Sequence, residues 1–173
     1  MVRISNIVCS VDLDCRIDLR NLAKTVTNIR YHSDRHNVAI WQNRRIGGNC
    51  LVYAKGKLVC NGYVESTEAA KRRLRCNARK LQKLGYPVRF KKFRIFTISM
   101  VHDLGIPISL PDLRNARYEP EIIPGAVLAI EDVRFTCFHS GKIIISGIKR
   151  DEDIDLLVFP TICEIFQIMN KRC

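Results

Sequence analysis

Two stretches of the chain decide how it is organised: residues 54–62 read AKGKLVCNG, and residues 139–147 read HSGKIIISG. Three residues recur 85 positions later: Gly56 as Gly141, Lys57 as Lys142 and Gly62 as Gly147. A glycine–lysine turn followed by an apolar run is common in β-hairpins, because glycine adopts the positive φ that tight turns need. Self-similarity at a fixed spacing predicts a chain built from two copies of one unit.

An amphipathic helix is predicted after each copy. Ser66 is the expected N-cap of the first helix, and Gly85 with Pro87 is expected to end it. Apolar residues at steps of three and four define its buried face: Ala70, Leu74, Ala78, Leu81 and Leu84. The second helix has the corresponding set Ile154, Leu157, Val158, Ile162, Ile165 and Ile168. Pro160 lies inside this pattern, where it is expected to remove one hydrogen bond and kink the helix.

A β-rich run and a short helical segment precede each hairpin. Residues 6–11 form the first run, and Asp18 is expected to cap the short helix that follows. Residues 93–101 form the matching run in the second half. We therefore predict an α+β fold of two repeats, residues 1–87 and 88–173, whose strands form one antiparallel sheet with the long helices on one face.

The charge balance suggests an anionic partner. Lys and Arg outnumber Asp and Glu by 29 to 17, a net charge of +12. Nucleic acid is the leading interpretation, an acidic protein or membrane surface the second, and a merely solubilising charge the third. One face of the first long helix is strongly basic through Arg72, Arg75, Arg79 and Lys83. This face could follow phosphates, dock an acidic protein or simply be solvated.

Several functional classes are disfavoured by the sequence. The apolar segments are too short to span a bilayer, and residues 1–6 lack the apolar core of a secretory signal, so we expect a nuclear or cytosolic protein and no membrane partner. The eight cysteines include no C-x-x-C pair, which favours buried free thiols over a metal site. With no carboxylate cluster, nucleophile–base pair or phosphate-binding loop, we expect neither an enzyme nor a cofactor.

Further motifs carry a resemblance to a known family: NIV at residues 6–8, GKLVC at 56–60, LQKLGYP at 81–87, YEPE at 118–121 with PG at 124–125, and SGK at 140–142. In order and nearly in spacing they resemble the core of the TATA-box-binding-protein family. The resemblance implies a pseudo-twofold saddle, a ten-stranded antiparallel curved sheet with two long and two short helices on its convex face. It also implies a nuclear general transcription factor whose concave face binds double-stranded DNA in the minor groove of A·T-rich or promoter sequences.

The resemblance carries the family's groove-contacting positions onto both repeats. The paired asparagines that bond base edges fall on Asn6 and Thr97, so only the first amide is kept, and the neighbouring valines fall on Val8 and Ser99. The remaining first-repeat positions are Leu51, Lys57, Val59 and Asn61. Those of the second repeat are Pro124, Thr136, Lys142, Ile144 and Ser146.

Four phenylalanines that wedge between base steps in the family fall on His36, Tyr53, Ile123 and Phe138. Only Phe138 is unchanged. Opening a base step costs a few kcal/mol, which inserted apolar surface must offset, so these replacements predict weakened or altered TATA preference. Alternatively, Tyr53 and Phe138 are ordinary sheet-face residues and His36 is a solvated loop residue.

The resemblance also implies protein partners. Glu119, Glu121 and Ile122 match the segment that docks general transcription factor IIB in the family. The basic helix matches a surface used by factor IIA and by repressors, and TBP-associated factors are implied as well. The alternative function is a TBP-related scaffold or regulator that recruits transcription factors with little direct DNA reading. Self-dimerisation through the concave face stays open.

Two departures from the family pattern concern the second repeat. The segment from Leu110 to Tyr118 is about five residues short, which predicts a truncated second short helix. A short loop carries Glu131 and Asp132 where a basic residue is usual, which predicts weaker phosphate contacts there.

Overall fold

The computed structural model describes residues 2–32, 37–42 and 47–171. Two compact units are present, the first formed by Asn6–Phe96 and the second by Met1–Ser5 with Thr97–Cys173. Each unit is built around five antiparallel strands.

The first unit has strand order β2-β3-β4-β5-β1. Its elements are β1 (Arg3–Asp12), α1 (Leu19–Thr25), β2 (Ile29–Tyr31), β3 (Val38–Gln42), β4 (Asn49–Tyr53), β5 (Lys57–Asn61) and α2 (Thr67–Lys83). The turn between β4 and β5 depends on Gly56, whose φ is +84°. A Cβ at this position would lie 1.9 Å from the carbonyl oxygen of Cys15, so only glycine fits.

The second unit has strand order β6-β10-β9-β8-β7. Its elements are β6 (Lys91–Asp103), a 3-10 turn (Leu110–Asp112), β7 (Arg117–Tyr118), β8 (Gly125–Ile130), β9 (Val133–Phe138), β10 (Lys142–Ile148), a π turn (Ile154–Val158) and α3 (Phe159–Asn170). Gly141 has a φ of +91°, and a Cβ there would lie 2.5 Å from the Ile106 carbonyl oxygen. The hairpin glycine thus has the same role in both units. The predicted second short helix is reduced to the 3-10 turn.

The cores form where alternate strand residues point toward a helix. In β5 of the first unit, Leu58 and Cys60 are buried while the residues on either side are not. Helix α2 covers this face: Leu74 is fully buried, and the side-chain amide of Asn77 donates to the Cys60 sulfur at 3.6 Å. Such alternation is typical of an antiparallel sheet with one covered face.

The second unit repeats this arrangement. Its strands β9 and β10 bury Phe135, Cys137, Ile143 and Ile145. Helix α3 buries the side chains Thr161, Ile162, Ile165 and Met169. Of the predicted inward residues, Val158, Ile162 and Ile165 are buried. Ile154, Leu157 and Ile168 are only half-buried, and Met169 is buried at the end of the helix in place of Ile168.

The predicted helix caps are confirmed. The Ser66 hydroxyl oxygen accepts a hydrogen bond from the Ala69 N–H at 3.1 Å, and the Asp18 carboxylate accepts one from the Asn21 N–H at 3.0 Å. Gly85 follows α2 with a φ of +92°, the left-handed conformation that commonly ends helices. These local signals fix both helix starts and the end of α2.

Pro160 lies inside a continuous helical stretch, residues 152–170, as the sequence predicts. Within this stretch a π turn (Ile154–Val158) directly precedes α3 (Phe159–Asn170). The Phe159 N–H donates to the Ile154 carbonyl, five residues back, so the helix is locally widened just before a proline that has no N–H to donate. The Thr161 hydroxyl donates to the Leu157 carbonyl at 2.7 Å. The helix therefore changes register before the proline.

Among the cysteines that the structure describes, four are buried: Cys9, Cys50, Cys60 and Cys137. Burial raises the pKa of the Cys9 thiol to about 12 and that of the Cys137 thiol to about 11, so both stay protonated near neutral pH. Within the described ranges, no group of three or more His, Cys, Asp or Glu residues is placed to hold a metal ion. No helix in that part of the chain is long and apolar enough to cross a membrane.

We predict that Leu74→Ala lowers the free energy of unfolding by about 3 kcal/mol, because it leaves a cavity under α2. Leu84→Ala is the matched control: the prediction that Leu84 belongs to the buried face is wrong, because α2 ends at Lys83 and Leu84 is 40% exposed, whereas Leu74 is 0% exposed. The control should cost less than about 1 kcal/mol. Urea unfolding followed by circular dichroism measures both, and equal losses would contradict the assignment of the core.

Candidate nucleic-acid interface

The predicted groove-contacting residues of the first unit lie on strand positions that the core does not use. Each is half-buried or exposed, and its strand neighbours are mostly buried. They are Asn6 and Val8 on β1, Leu51 and Tyr53 on β4, and Lys57, Val59 and Asn61 on β5. Because successive strand side chains point to opposite sides, these residues share the open face of the unit. The remaining position, His36, lies outside the described residues.

Strand register aligns part of this face into a row. Ile40 pairs with Leu51, Leu51 with Val59, and Val59 with Ser10. We call these four residues the first row. Three of the four are apolar; Ile40 is 37% exposed, whereas Ser10 at the β1 end of the row is buried. The row therefore places apolar surface across β3, β4 and β5.

The second unit has an equivalent row. Val127 pairs with Thr136, Thr136 with Ile144, and Ile144 with Val101, and these four residues form the second row. The other predicted residues of this open face are Thr97 and Ser99 on β6, Phe138 on β9, and Lys142 and Ser146 on β10. Ile40, Val127 and Val101 were not predicted as contacts. Strand pairing identifies them, because each faces a predicted residue on the next strand.

Asn6 and Thr97 occupy matching hydrogen-bonded positions. The Asn6 side-chain oxygen accepts a hydrogen bond from the Gly62 N–H at 2.7 Å. The Thr97 hydroxyl oxygen accepts one from the Gly147 N–H at 3.2 Å. Both glycines have positive φ, +126° and +91°, which turns the end of the strand toward the polar side chain.

These bonds determine which groups stay available. With its oxygen engaged, the Asn6 amide keeps its NH₂ group as a donor, and Thr97 keeps its O–H. The minor groove displays acceptors at adenine N3 and thymine O2, to which such donors are complementary. Thr97 has a hydroxyl where the resemblance leads one to expect an asparagine amide. This position therefore still has one hydrogen-bond donor.

The wedge position at Phe138 is supported by a glycine on the neighbouring strand. Phe138 pairs with Gly125, and a Cβ on Gly125 would lie 3.3 Å from a carbon of the Phe138 ring. Ile123 and Pro124 directly precede this glycine and are exposed, Ile123 by 43%. The residues just before β8 and the end of β9 thus carry the two predicted wedge residues of the second unit, Ile123 and Phe138, with the predicted contact Pro124 beside them.

Tyr53 lies in a different setting. It is half-buried and lines an open cleft of about 860 Å³ together with Arg16, Lys55, Lys57 and Tyr86. The ammonium group of Lys57 lies 5.0 Å from the centre of the Phe96 ring, a cation–π distance. Lys57 is therefore held at an aromatic ring, a contact that sequence reasoning missed.

The predicted partner-binding residues of the second unit differ in availability. Arg117 donates two hydrogen bonds to the Glu119 carboxylate, at 2.7 and 3.0 Å, and thereby lowers the pKa of Glu119. Glu121 is exposed, and Ile122 is 72% exposed. At this predicted docking segment Glu121 and Ile122 are therefore exposed, whereas Glu119 is already paired with Arg117.

The basic residues predicted on α2 are all exposed: Arg72, Arg75, Arg79 and Lys83. The Arg75 guanidinium lies 5.6 Å from the centre of the Phe90 ring. Further cation–π pairs join Lys71 to Phe93 at 5.5 Å and Lys80 to Trp41 at 5.6 Å. Some of the cations on α2 are thus held in place by cation–π contacts with neighbouring aromatic rings.

Comparison with known proteins agrees with this geometry. A family model described as transcription factor TFIID, or TATA-binding protein (TBP), matches residues 1–84 and 92–169. TATA-box-binding protein 1 of Arabidopsis thaliana is 35% identical over 177 residues, covering 96% of this chain and 88% of that protein. TATA-box-binding protein 1 of Triticum aestivum is 38% identical over 157 residues, covering 86% and 67%.

A solved structure supports the same assignment. Methanococcus jannaschii TBP superposes with a TM-score of 0.82 and 27% identity, covering 96% of this chain and 98% of that one. The predicted α+β fold class is confirmed, with one short helix replaced by a 3-10 turn. The chain belongs to the TATA-binding-protein family, a family of transcription factors and not of enzymes.

Proposed function

We propose that this protein binds promoter DNA in the minor groove through the open faces of its two repeats and nucleates assembly of the transcription machinery. The observation that carries this proposal is a matched pair of side chains: the Asn6 oxygen accepts from the Gly62 N–H and the Thr97 oxygen from the Gly147 N–H, which leaves the amide NH₂ and the hydroxyl O–H as donors. Each lies on an open face that also carries a largely apolar row. Apolar surface with few donors is complementary to a groove that displays little beyond acceptors.

Charge supports DNA as the ligand. The net charge of +12 provides the electrostatic attraction that dominates affinity for a duplex. TATA-binding proteins are themselves the known example of kinking by apolar side chains inserted from the minor groove. In this chain Phe138 is the one unchanged wedge, and Ile123 offers apolar surface without a flat ring. We therefore infer weakened or altered TATA preference, with kinks favoured at pyrimidine–purine steps that unstack easily.

The same proposal includes protein partners and a nuclear location. Glu121 and Ile122 form an acidic and apolar surface suited to a factor of the IIB type. The basic face of α2 suits an acidic partner such as factor IIA, a repressor or a TBP-associated factor. Residues 1–87 and 88–173 are proposed to act as the two halves of one DNA-binding protein. The retained donors at Asn6 and Thr97 favour this function over a scaffold with little DNA reading.

Duplex binding should be strongly salt-dependent and should need the wedges. We expect affinity for a promoter duplex to fall at least tenfold between 50 and 200 mM salt, because phosphate contacts release counterions.

At one fixed salt concentration, Phe138→Ala should weaken duplex binding about tenfold relative to wild type, and Ile123→Ala somewhat less. In both variants less apolar surface is left to offset the cost of unstacking a base step. Fluorescence anisotropy on TATA, TATA-less and A·T-poor duplexes measures these effects.

Tyr63→Ala is the control for lost aromatic surface, because Tyr63 is 65% exposed and lies outside the predicted contacts. Thermal unfolding of each variant separates misfolding from lost contact. Absence of duplex binding at low salt on all three sequences would refute the proposal.

Thr97→Val should reduce affinity for an A·T-rich duplex about fivefold while leaving non-specific binding unchanged. The substitution is nearly isosteric but removes the hydroxyl, which accepts from the Gly147 N–H and is proposed to donate to a base edge. Thr97→Asn should match or exceed the affinity of the wild-type protein, since it supplies an amide donor in place of the hydroxyl. Competition binding against A·T-poor duplex measures the ratio, and equal ratios for all three proteins would show that position 97 does not read the groove.

Glu121→Arg should abolish binding of purified factor IIB, because an exposed carboxylate is replaced by a cation at the proposed docking surface. Glu65→Arg makes the same charge change at an exposed position of the first unit and should leave binding intact. Pull-down with the protein on promoter DNA provides the readout. Undiminished factor IIB binding by Glu121→Arg would exclude this surface.

A further inference from the structure

The two long helices of the repeats carry opposite charge. Helix α2 has seven Lys and Arg residues and one acidic residue. Residues 151–170, which include the π turn and α3, contain five acidic residues and no Lys or Arg. Arg150, just before this stretch, is paired with Asp153 at 2.6 Å. A strongly acidic segment in a chain of net charge +12 is unexpected if its only role is solubility.

The same segment exposes large apolar side chains. Leu156 is 68% exposed, Phe159 44% and Phe166 42%, and Cys163 between them is also exposed. We call these four residues the apolar stripe. Their spacing of three, four and three residues places them along one side of the helix. Three large exposed apolar residues on one helix are unusual for a surface that contacts only water.

The apolar stripe is separate from the core-facing side of α3. Ile162, Ile165 and Met169 are 7%, 1% and 7% exposed and form the inward face of the helix. The change from π turn to α-helix occurs between Leu156 and Phe159, and π turns inside helices are often found at functional sites. Core packing therefore does not explain why the four residues of the apolar stripe are apolar.

Charge determines what kind of surface can cover the stripe. Glu152, Asp155 and Glu164 are exposed on the same segment. Phosphates of nucleic acid and anionic membranes would be repelled by these carboxylates. A partner that buries Leu156, Phe159 and Phe166 must therefore bring apolar side chains together with cations.

We propose that the apolar stripe docks an amphipathic cationic helix of a partner protein. The stripe runs over eleven helical residues, roughly 15 Å, which is about three turns. The ridge of side chains on a helix packs readily into the grooves of a second helix, and aromatic anchors carry much of the energy in such contacts. Lys or Arg residues flanking the partner's apolar side would face Glu152, Asp155 and Glu164. This inference rests on neither DNA binding nor the Glu121 surface.

A second copy of this chain is a poorer occupant. The cationic helix α2 exposes charge but, among its described residues, no large apolar side chain before Leu84. It therefore offers the charges without the apolar surface. A contact between α2 of one molecule and α3 of another would also be heterologous, and such contacts form open chains unless their rotation closes a ring.

The test uses two synthetic 20-residue peptides with leucine at helical positions i, i+3, i+4 and i+7. One carries lysine and the other glutamate at the remaining positions. Fluorescence anisotropy with the intact protein, without DNA, should show binding of the lysine peptide only. Because the whole protein is cationic, binding of this peptide requires a local acidic surface.

Variants locate the binding surface. The single variant Leu156→Ser and the double variant Phe159→Ser/Phe166→Ser should each weaken binding of the lysine peptide, the double variant at least tenfold. The charge variant Glu152→Lys/Asp155→Lys should weaken it similarly and should reduce its salt dependence. Tyr63→Ser and Glu65→Lys remove an exposed aromatic ring and an exposed acid elsewhere, and they should leave affinity within twofold. Circular dichroism and thermal unfolding show which variants are folded.

Three results would overturn the proposal. They are equal binding of the two peptides, lysine-peptide binding that Leu156→Ser and the folded double variant leave unchanged, and wild-type self-association by sedimentation that Leu156→Ser abolishes. The last result would identify a second copy as the occupant. Duplex binding by the stripe variants should match wild type, so failure here is distinct from failure of the proposed function.

Discussion

The alternation of side chains along a β-strand is the constraint on which the rest of the structure depends. A strand in either unit can turn only every second residue toward the helix that covers it. In β5 this assigns Leu58 and Cys60 to the core and leaves Val59 and Asn61 on the open face. A shift of one residue would exchange the two sets and place the candidate interface inside the protein. Core packing and the candidate interface are therefore specified by the same pairing register.

Local chemistry explains which features could be predicted from the sequence. Ser66 and Asp18 act as caps because a hydroxyl or carboxylate satisfies the free N–H groups of a helix start wherever it occurs. Gly56 and Gly141 mark the hairpins because each turn places backbone where a Cβ would collide with a carbonyl oxygen. These effects involve few residues and short separations, so a repeated motif is sufficient to reveal them.

Features that depend on long-range pairing were harder to predict from the sequence. Ile40 and Val127 join the rows only through their register with Leu51 and Thr136, which no short motif encodes. The contact of Lys57 with the Phe96 ring joins residues 39 positions apart. The π turn before Pro160 widens the helix by one residue, an adjustment that a simple 3.6-residue period does not anticipate. In each case tertiary structure selects among options that the local sequence leaves open.

Because Phe138 pairs with Gly125, a residue that does not itself contact DNA would affect the affinity of the protein for DNA. The ring lies so close to this glycine that an added methyl group would displace either the ring or the strand, because the backbone oxygen of Cys137 would also be only 2.9 Å away. A variant at Gly125 could therefore behave in a binding assay as a DNA-contact mutant, although its own side chain reaches no base. Sequence variation at this position beneath the ring would then determine the direction in which an otherwise unchanged wedge points.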